Sequence, residues 1–198
     1  MAKLKLGILG SGKGSNFQAI ADSIGTGALQ AEVRIVISDM EGAGILALAR
    51  ERKMRAEYVA PGRFKTKLEP EAEQRVVSLL QEAGVDLVVL AGWMRMVKTP
   101  LLDAFPRRIL NIHPSLLPAF PGLRAWEQVI AAGASESGCT VHYVDSGMDS
   151  GEIIAQSKVP IFPSDTPEEL HARIQVAEHE LYPAVIARWS SLVGSGAI

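Results

Sequence analysis

The chain has 198 residues, 47% of them apolar and 21% charged, with a formal net charge of −2. That composition fits one core-forming domain over 1–198, and the slight acidity argues against non-specific nucleic-acid binding, which rests on basic patches. The lone cysteine, Cys139, excludes an internal disulfide and a Cys-rich zinc site, and with no apolar run of membrane-spanning length and no signal-peptide core, a cytoplasmic protein without membrane or nucleic-acid partners is expected.

Strand-like and helical patterns alternate. A first strand over 4–9 empties into "GSGKGSN", which fits neither familiar nucleotide motif. Read from Gly7 as a P-loop, it has Gly14 where Ser or Thr would hold magnesium. Read from Gly10 as a dinucleotide fingerprint, it has Ser15 at the third small position. The run from Ser15 to Gln18 reads as a capping box opening a helix over 16–24. Strands follow at 32–38, 56–60, 86–91, 108–112, 139–144 and 153–159. Helices are predicted at 43–53, 70–83, 100–105 and 123–132. Thr99-Pro100 and Thr166-Pro167-Glu168-Glu169 are further helix starts, and Gly84 a helix stop. A long last helix begins near 167, with a break expected at Pro183. The fold class is therefore α/β and Rossmann-like: a mainly parallel sheet of about seven strands, helices on both faces, and an antiparallel C-terminal edge where "DSGMDSGE" joins the last two strands.

Four segments carry polar groups suited to chemistry. Exposed N–H groups where the glycine loop meets a helix make an anion site, and with no magnesium ligand a monophosphate suits it better than a triphosphate. A side chain at Gly14 would obstruct the phosphate; a plain tight turn is the alternative. In "LNIHPSLLP", Asn111 and His113 share one face of a strand, about 6–7 Å apart, near its carboxyl end, where open α/β sheets bind ligands. Asp145 and Asp149 lie in a glycine-rich loop that lacks calcium-loop spacing. Either that loop is a solvated hairpin, or one of its carboxylates meets His113, orients it and favours its charged form. Thr140 and His142 share one strand face and suit the same pocket. "WMRMV" (93–97) opens at the same sheet edge and suits a flat aromatic ligand. In the last helix, Glu178 interrupts the apolar stripe of Leu170, Ile174, Leu181 and Val185, which implies a partner. His171 and His179 are read as helix-surface residues, and Cys139 as a buried filler.

Together "GSGKGSNFQAI", "VVLAGWMRM", "LNIHPSLLPAFPG", "GCTVHYVDSGMDSGEII" and "AEHELYP" resemble, in order and over nearly the whole chain, the phosphoribosylglycinamide formyltransferases of purine synthesis. "NIHPSLLP" alone is shared more widely among enzymes that use 10-formyltetrahydrofolate. The methionyl-tRNA formyltransferases have a further C-terminal domain and the formyltetrahydrofolate hydrolases a regulatory N-terminal one, and this chain has room for neither. The resemblance implies Gly14, Ser15 and Asn16 at the phosphate of glycinamide ribonucleotide, with Gln175 and Glu178 near its glycinamide end. It implies Asn111, His113 and Asp149 as the catalytic group. It places Met94, Arg95, Met96, Val97, Asn111, Asp145 and Lys67 around the folate. The implied co-substrate is 10-formyltetrahydrofolate, with no metal, acting in a monomer or homodimer whose N-terminal part holds the ribonucleotide and whose C-terminal part holds folate and catalysis. Two rivals stand beside this reading. One is a non-catalytic nucleotide-binding regulator. The other is a dinucleotide oxidoreductase, for which Asp39 would be the ribose-binding acid.

Overall fold

A computed structural model describes residues 3–194, with side chains through Trp189. In chain order the elements are β1 (Leu4–Leu9), α1 (Ser15–Gly25), β2 (Ala31–Ser38), α2 (Gly44–Glu51), β3 (Ala56–Tyr58), α3 (Pro70–Glu82), β4 (Leu87–Leu90), α4 (Thr99–Ala104), β5 (Ile109–His113), α5 (Ala125–Ala131), β6 (Glu136–Tyr143), β7 (Ile153–Pro160) and α6 (Pro167–Gly194). The seven strands form one sheet in the order β3-β2-β1-β4-β5-β6-β7. The first five pair in parallel, while β6 runs antiparallel to both β5 and β7. The expected fold class is what the chain adopts. The antiparallel part begins one strand earlier than the loop between the last two strands indicated.

Two apolar layers cover the sheet. One packs Phe17 and Ile20 of α1, Ile45 of α2, Val129 of α5 and Leu170 and Ile174 of α6 against Leu6, Ile8, Leu110, Ile112 and Val141. The other packs Val76, Leu79 and Leu80 of α3 and Leu101 of α4 against Leu9, Ile35, Val88 and Ile109. Side chains alternate along each strand, so β5 gives Leu110 and Ile112 to the first layer and turns Asn111 and His113 to the second face. Among the described residues, α3 and α4 are the helices that contribute to that second layer, and its cluster stops at Ile109 and Val144. The polar side of β5 and β6 is therefore left to loops. The chain order also reverses between β1 and β4, which opens the crevice beyond their carboxyl ends.

Helix boundaries correct the expected caps. Gly14, at φ 87°, precedes α1 without a side-chain cap, and Ser15 is already helical, so the capping box does not form. Lys98, not Thr99, precedes α4. At α6 the box does form: the Thr166 hydroxyl accepts from the Glu169 N–H at 3.2 Å, and Glu169 Oε2 accepts from the Thr166 N–H at 2.8 Å. Gly84, at φ 64°, follows α3 as expected. Pro183 does not break α6, which is continuous over 28 residues. Proline removes its own bond to the carbonyl four residues back and crowds that carbonyl, but the buried neighbours Tyr182, Val185 and Ile186 hold the helix on the sheet.

Candidate active site

The glycine loop is shaped by close packing. Its N–H and C=O groups are tied to three neighbours: Gly10 N–H to Ile37 O at 3.1 Å, Ser11 N–H to Gly92 O at 3.0 Å, and Ile45 N–H to Gly12 O at 3.1 Å. A Cβ on Gly14 would lie 2.9 Å from the Ile45 Cα. The glycine is thus required by its left-handed backbone and by α2 behind it, whatever a side chain here would do to a phosphate. Just inside α1, Asn16 is buried. Its Nδ2 donates to Glu178 Oε2 at 2.9 Å, while its Oδ1 has no partner.

That bond supplies the partner Glu178 needed. Burial pushes the Glu178 carboxyl up to about 7, against the opposing pull of the Asn16 amide. Gln175, one turn earlier in α6, is half-buried. Four residues beyond Glu178, the wholly buried Tyr182 donates its hydroxyl toward Leu90 O at 3.0 Å and Leu110 O at 2.9 Å, pinning α6 across β4 and β5. Nothing in the sequence singled out this tyrosine. His171 and His179 are half-buried rather than surface residues. The His171 ring stacks on Trp126 with centroids 3.7 Å apart, and His179 Nε2 is buried without a partner.

After β4 the chain passes through 93–98 with a bend at Arg95 and an isolated bridge at Met96. The N–H groups of Met94, Met96 and Lys98 are bound by Ser11 Oγ at 3.0 Å, Thr66 O at 2.8 Å and Glu73 Oε1 at 2.6 Å. Glu73 is buried, and burial raises its carboxyl above the usual range. The alternate N–H groups, those of Arg95 and Val97, have no partner among the described residues. Side chains here do not follow the expected pattern. Met94 is 58% exposed, but Val97 packs into the second apolar layer. Arg95 turns inward to Asp39, with Nε 2.6 Å from Oδ2. Lys67 is exposed, with Nζ over the Phe64 ring at 4.6 Å.

At the carboxyl end of β5 three elements converge. The register sets Asn111 opposite His142 and His113 opposite Thr140. The loop after β6 turns back over this face, bringing Asp149, at φ 50°, to both. Asp149 Oδ2 lies 3.3 Å from His113 Nδ1 and accepts from the Gly122 N–H at 2.8 Å, and Oδ1 is 3.5 Å from Asn111 Nδ2. His113 Nε2 is 2.9 Å from Phe120 O, so each ring nitrogen faces an acceptor. Gly151 allows the turn: a Cβ there would collide with Tyr143 O.

His142 completes the group. Its Nδ1 donates to Tyr143 O at 2.8 Å, leaving the Nε2 lone pair to accept from Asn111 Nδ2 at 3.2 Å. Burial lowers its pKa, which keeps it neutral in that tautomer. Asn111 is thereby oriented with its NH₂ toward His142 and Asp149. Thr140 lies on the same face but holds the turn after β5 instead, donating to Ser115 O at 2.6 Å and accepting from the Leu117 N–H at 3.0 Å. Asp145 closes its own loop, with Oδ1 accepting from the Gly147 N–H at 3.0 Å and the Ser150 hydroxyl at 2.9 Å. Cys139 is fully buried and its thiol is pushed up to about 12, which leaves it inert. The Ser115 hydroxyl is bound to Ala119 O at 2.6 Å.

A doubly wound sheet with a glycine loop at a helix N-terminus, an open backbone edge and an Asn–His–Asp group on adjoining strand ends is the arrangement of a group-transfer enzyme acting on small ligands. The chain belongs to the formyl transferase family, which it matches over residues 4–186. It is 40% identical over 185 residues to the phosphoribosylglycinamide formyltransferase of Haemophilus influenzae, covering 93% of this chain and 86% of that protein. With the Bacillus subtilis enzyme of the same name it shares 38% identity, covering 97% of each. The trifunctional purine biosynthetic protein adenosine-3 of Drosophila pseudoobscura pseudoobscura is 44% identical, but the chain spans only 14% of that protein's length. Among solved structures, glycinamide ribonucleotide transformylase 1 from Symbiobacterium toebii superposes with a TM-score of 0.91 at 44% identity, covering 96% of this chain and 89% of that one.

Proposed function

We propose that this protein transfers the formyl group of 10-formyltetrahydrofolate to the primary amine of glycinamide ribonucleotide, giving formylglycinamide ribonucleotide and tetrahydrofolate in purine biosynthesis. The observation that carries the mechanism is the Asn111–His113–Asp149 group, assembled without an activated serine, cysteine or other covalent nucleophile beside it. The substrate amine then attacks the formyl carbon directly. The carbonyl becomes a tetrahedral oxyanion, the bond from carbon to folate nitrogen breaks, and a proton passes from the attacking amine to that nitrogen. Asn111 Nδ2, held by His142, and an N–H of His113 donate to the oxyanion, the interaction that dominates acyl transfer. For His113 this exchanges the Phe120 carbonyl for the formyl oxygen. Asp149 sits beside the His113 imidazole and takes part in moving the proton.

Gly14, Ser15 and Asn16 hold the ribonucleotide phosphate through the α1 N-terminus, with Gln175 and Glu178 at the amine-bearing half. The free N–H groups of Arg95 and Val97 form a hydrogen-bonding edge for the flat folate ring, with Met94 as its apolar lip and the 145–149 loop over it. Lys67 suits the folate's carboxylate tail. No metal takes part in these steps. The reading is tested by assaying purified protein with both substrates, with and without chelator. Formylated ribonucleotide should accumulate at the same rate in both. Turnover that vanished with chelator and returned with zinc or magnesium would overturn the metal-free mechanism, and no product at all would overturn the assignment.

A further inference from the structure

The one charged side chain of the 93–97 segment is turned away from the open backbone edge. Arg95 Nε reaches Asp39 Oδ2 at 2.6 Å, and its Nη1 lies 2.6 Å from Phe64 O, 3.0 Å from Lys65 O and 3.4 Å from Lys67 O. Both side chains are withdrawn from solvent, 11% and 2% exposed. Met96 adds the backbone bond to Thr66 and a parallel bridge to Lys67. One guanidinium thus joins the end of β2, the segment after β4 and the loop after β3. The planar fork makes this possible, since a lysine ammonium cannot span a carboxylate and a row of carbonyls together. A buried ion pair is a poor source of stability, because desolvation offsets most of the attraction. Its geometry here fixes instead how far the Lys67 loop stands from the free N–H edge.

We propose that Asp39 and Arg95 are positioning residues for the folate: the pair holds the 64–67 loop in register with the 95–97 edge, so that ring and carboxylate tail are bound at one fixed span. This rests on the folate reading of that edge. Asp39 occupies the strand end where a ribose-binding acid would stand in a dinucleotide enzyme, yet Arg95 has already claimed Oδ2, and the buried Oδ1 faces no donor. The prediction is therefore counter to position. A residue on the ribonucleotide side of the sheet should govern affinity for the other substrate.

The test is Asp39→Asn, with steady-state constants measured for each substrate and for a folate analogue lacking the glutamate tail. KM for the full folate should rise about tenfold, a loss on the scale of one charge-assisted contact. KM for the ribonucleotide and kcat at saturation should stay within about twofold of wild type. The tailless analogue should show a much smaller change, and Arg95→Lys a partial one. Equal rises in both KM values, or a rise for the ribonucleotide alone, would overturn the proposal. Should Asp39→Asn fold poorly, the paired Asp39→Asn/Arg95→Met variant leaves no buried charge unpaired and must show the same split. Hydrogen exchange supplies a readout independent of turnover: the Met96 amide should lose protection in Asp39→Asn while the amides of β4 keep theirs. Unchanged exchange at Met96 sinks the positioning role even if the enzyme proves to act on other substrates. Loosened exchange in a protein that does not use folate would sink only the functional reading.

Discussion

The proposed reaction gives Asp149 two duties that one substitution separates. Asparagine can still accept from the Gly122 N–H and keep the loop in place, but it removes the charge 3.3 Å from His113. Asp149→Asn should lower kcat by roughly 10²–10³-fold, the scale for impairing one oxyanion donor, with little change in either KM. Normal turnover would leave Asp149 as a loop residue. Glu178 makes a pH-dependent contribution of definite sign. Its folded carboxyl titrates near 7 against an ordinary value of 4.5, so between those pH values the folded state binds more protons than the unfolded chain. Stability from this group is complete below about 4.5 and is lost as pH rises through 7, by on the order of 3 kcal/mol. Denaturant melts of wild type and Glu178→Gln across that window should converge at low pH and separate at high pH, with the variant the more stable. A parallel pair of curves would contradict this. The sequence marked Glu178 as misplaced, because a carboxylate in an apolar stripe demands a partner, but it could not say that the partner lies 162 positions away on α1.

The elements carry the site by being tied to one another at their ends. Tyr182 is the clearest tie, since its hydroxyl satisfies carbonyls of two neighbouring strands. Tyr182→Phe should cost about 1 kcal/mol, the net worth of one buried hydrogen bond to carbonyls that keep their bonds in the β4–β5 ladder, and lower Tm by a few degrees in a chain of this length. A melting temperature equal to wild type would show that water replaces the hydroxyl. Periodicity located every strand and helix, and the strand period was enough to pair Asn111 with His113. It failed where long-range geometry decides: the left-handed Gly14 displaced the expected cap, Pro183 was tolerated because its helix is held by packing, and Thr140 was drawn into the turn after β5. Side-chain direction in 93–97 was equally invisible, because an irregular segment outside the sheet follows whatever hydrogen bonds its neighbours offer.

Across the molecule, the two proposed ligand regions meet at the reversal of strand order between β1 and β4. Ser11 joins them, its N–H bound to Gly92 O and its Oγ bound to the Met94 N–H. The reaction proposed here needs no step on the protein itself, and that is its most exposed commitment. The direct measurement is to mix enzyme with 10-formyltetrahydrofolate labelled in the formyl carbon, quench, and count label on protein and on ribonucleotide, with and without glycinamide ribonucleotide present. Direct attack predicts no protein-bound label in either case, no burst of tetrahydrofolate without the amine, and label on the ribonucleotide as soon as it is added. Stoichiometric label on the protein in the absence of the amine, chased to product when the amine arrives, would contradict the account.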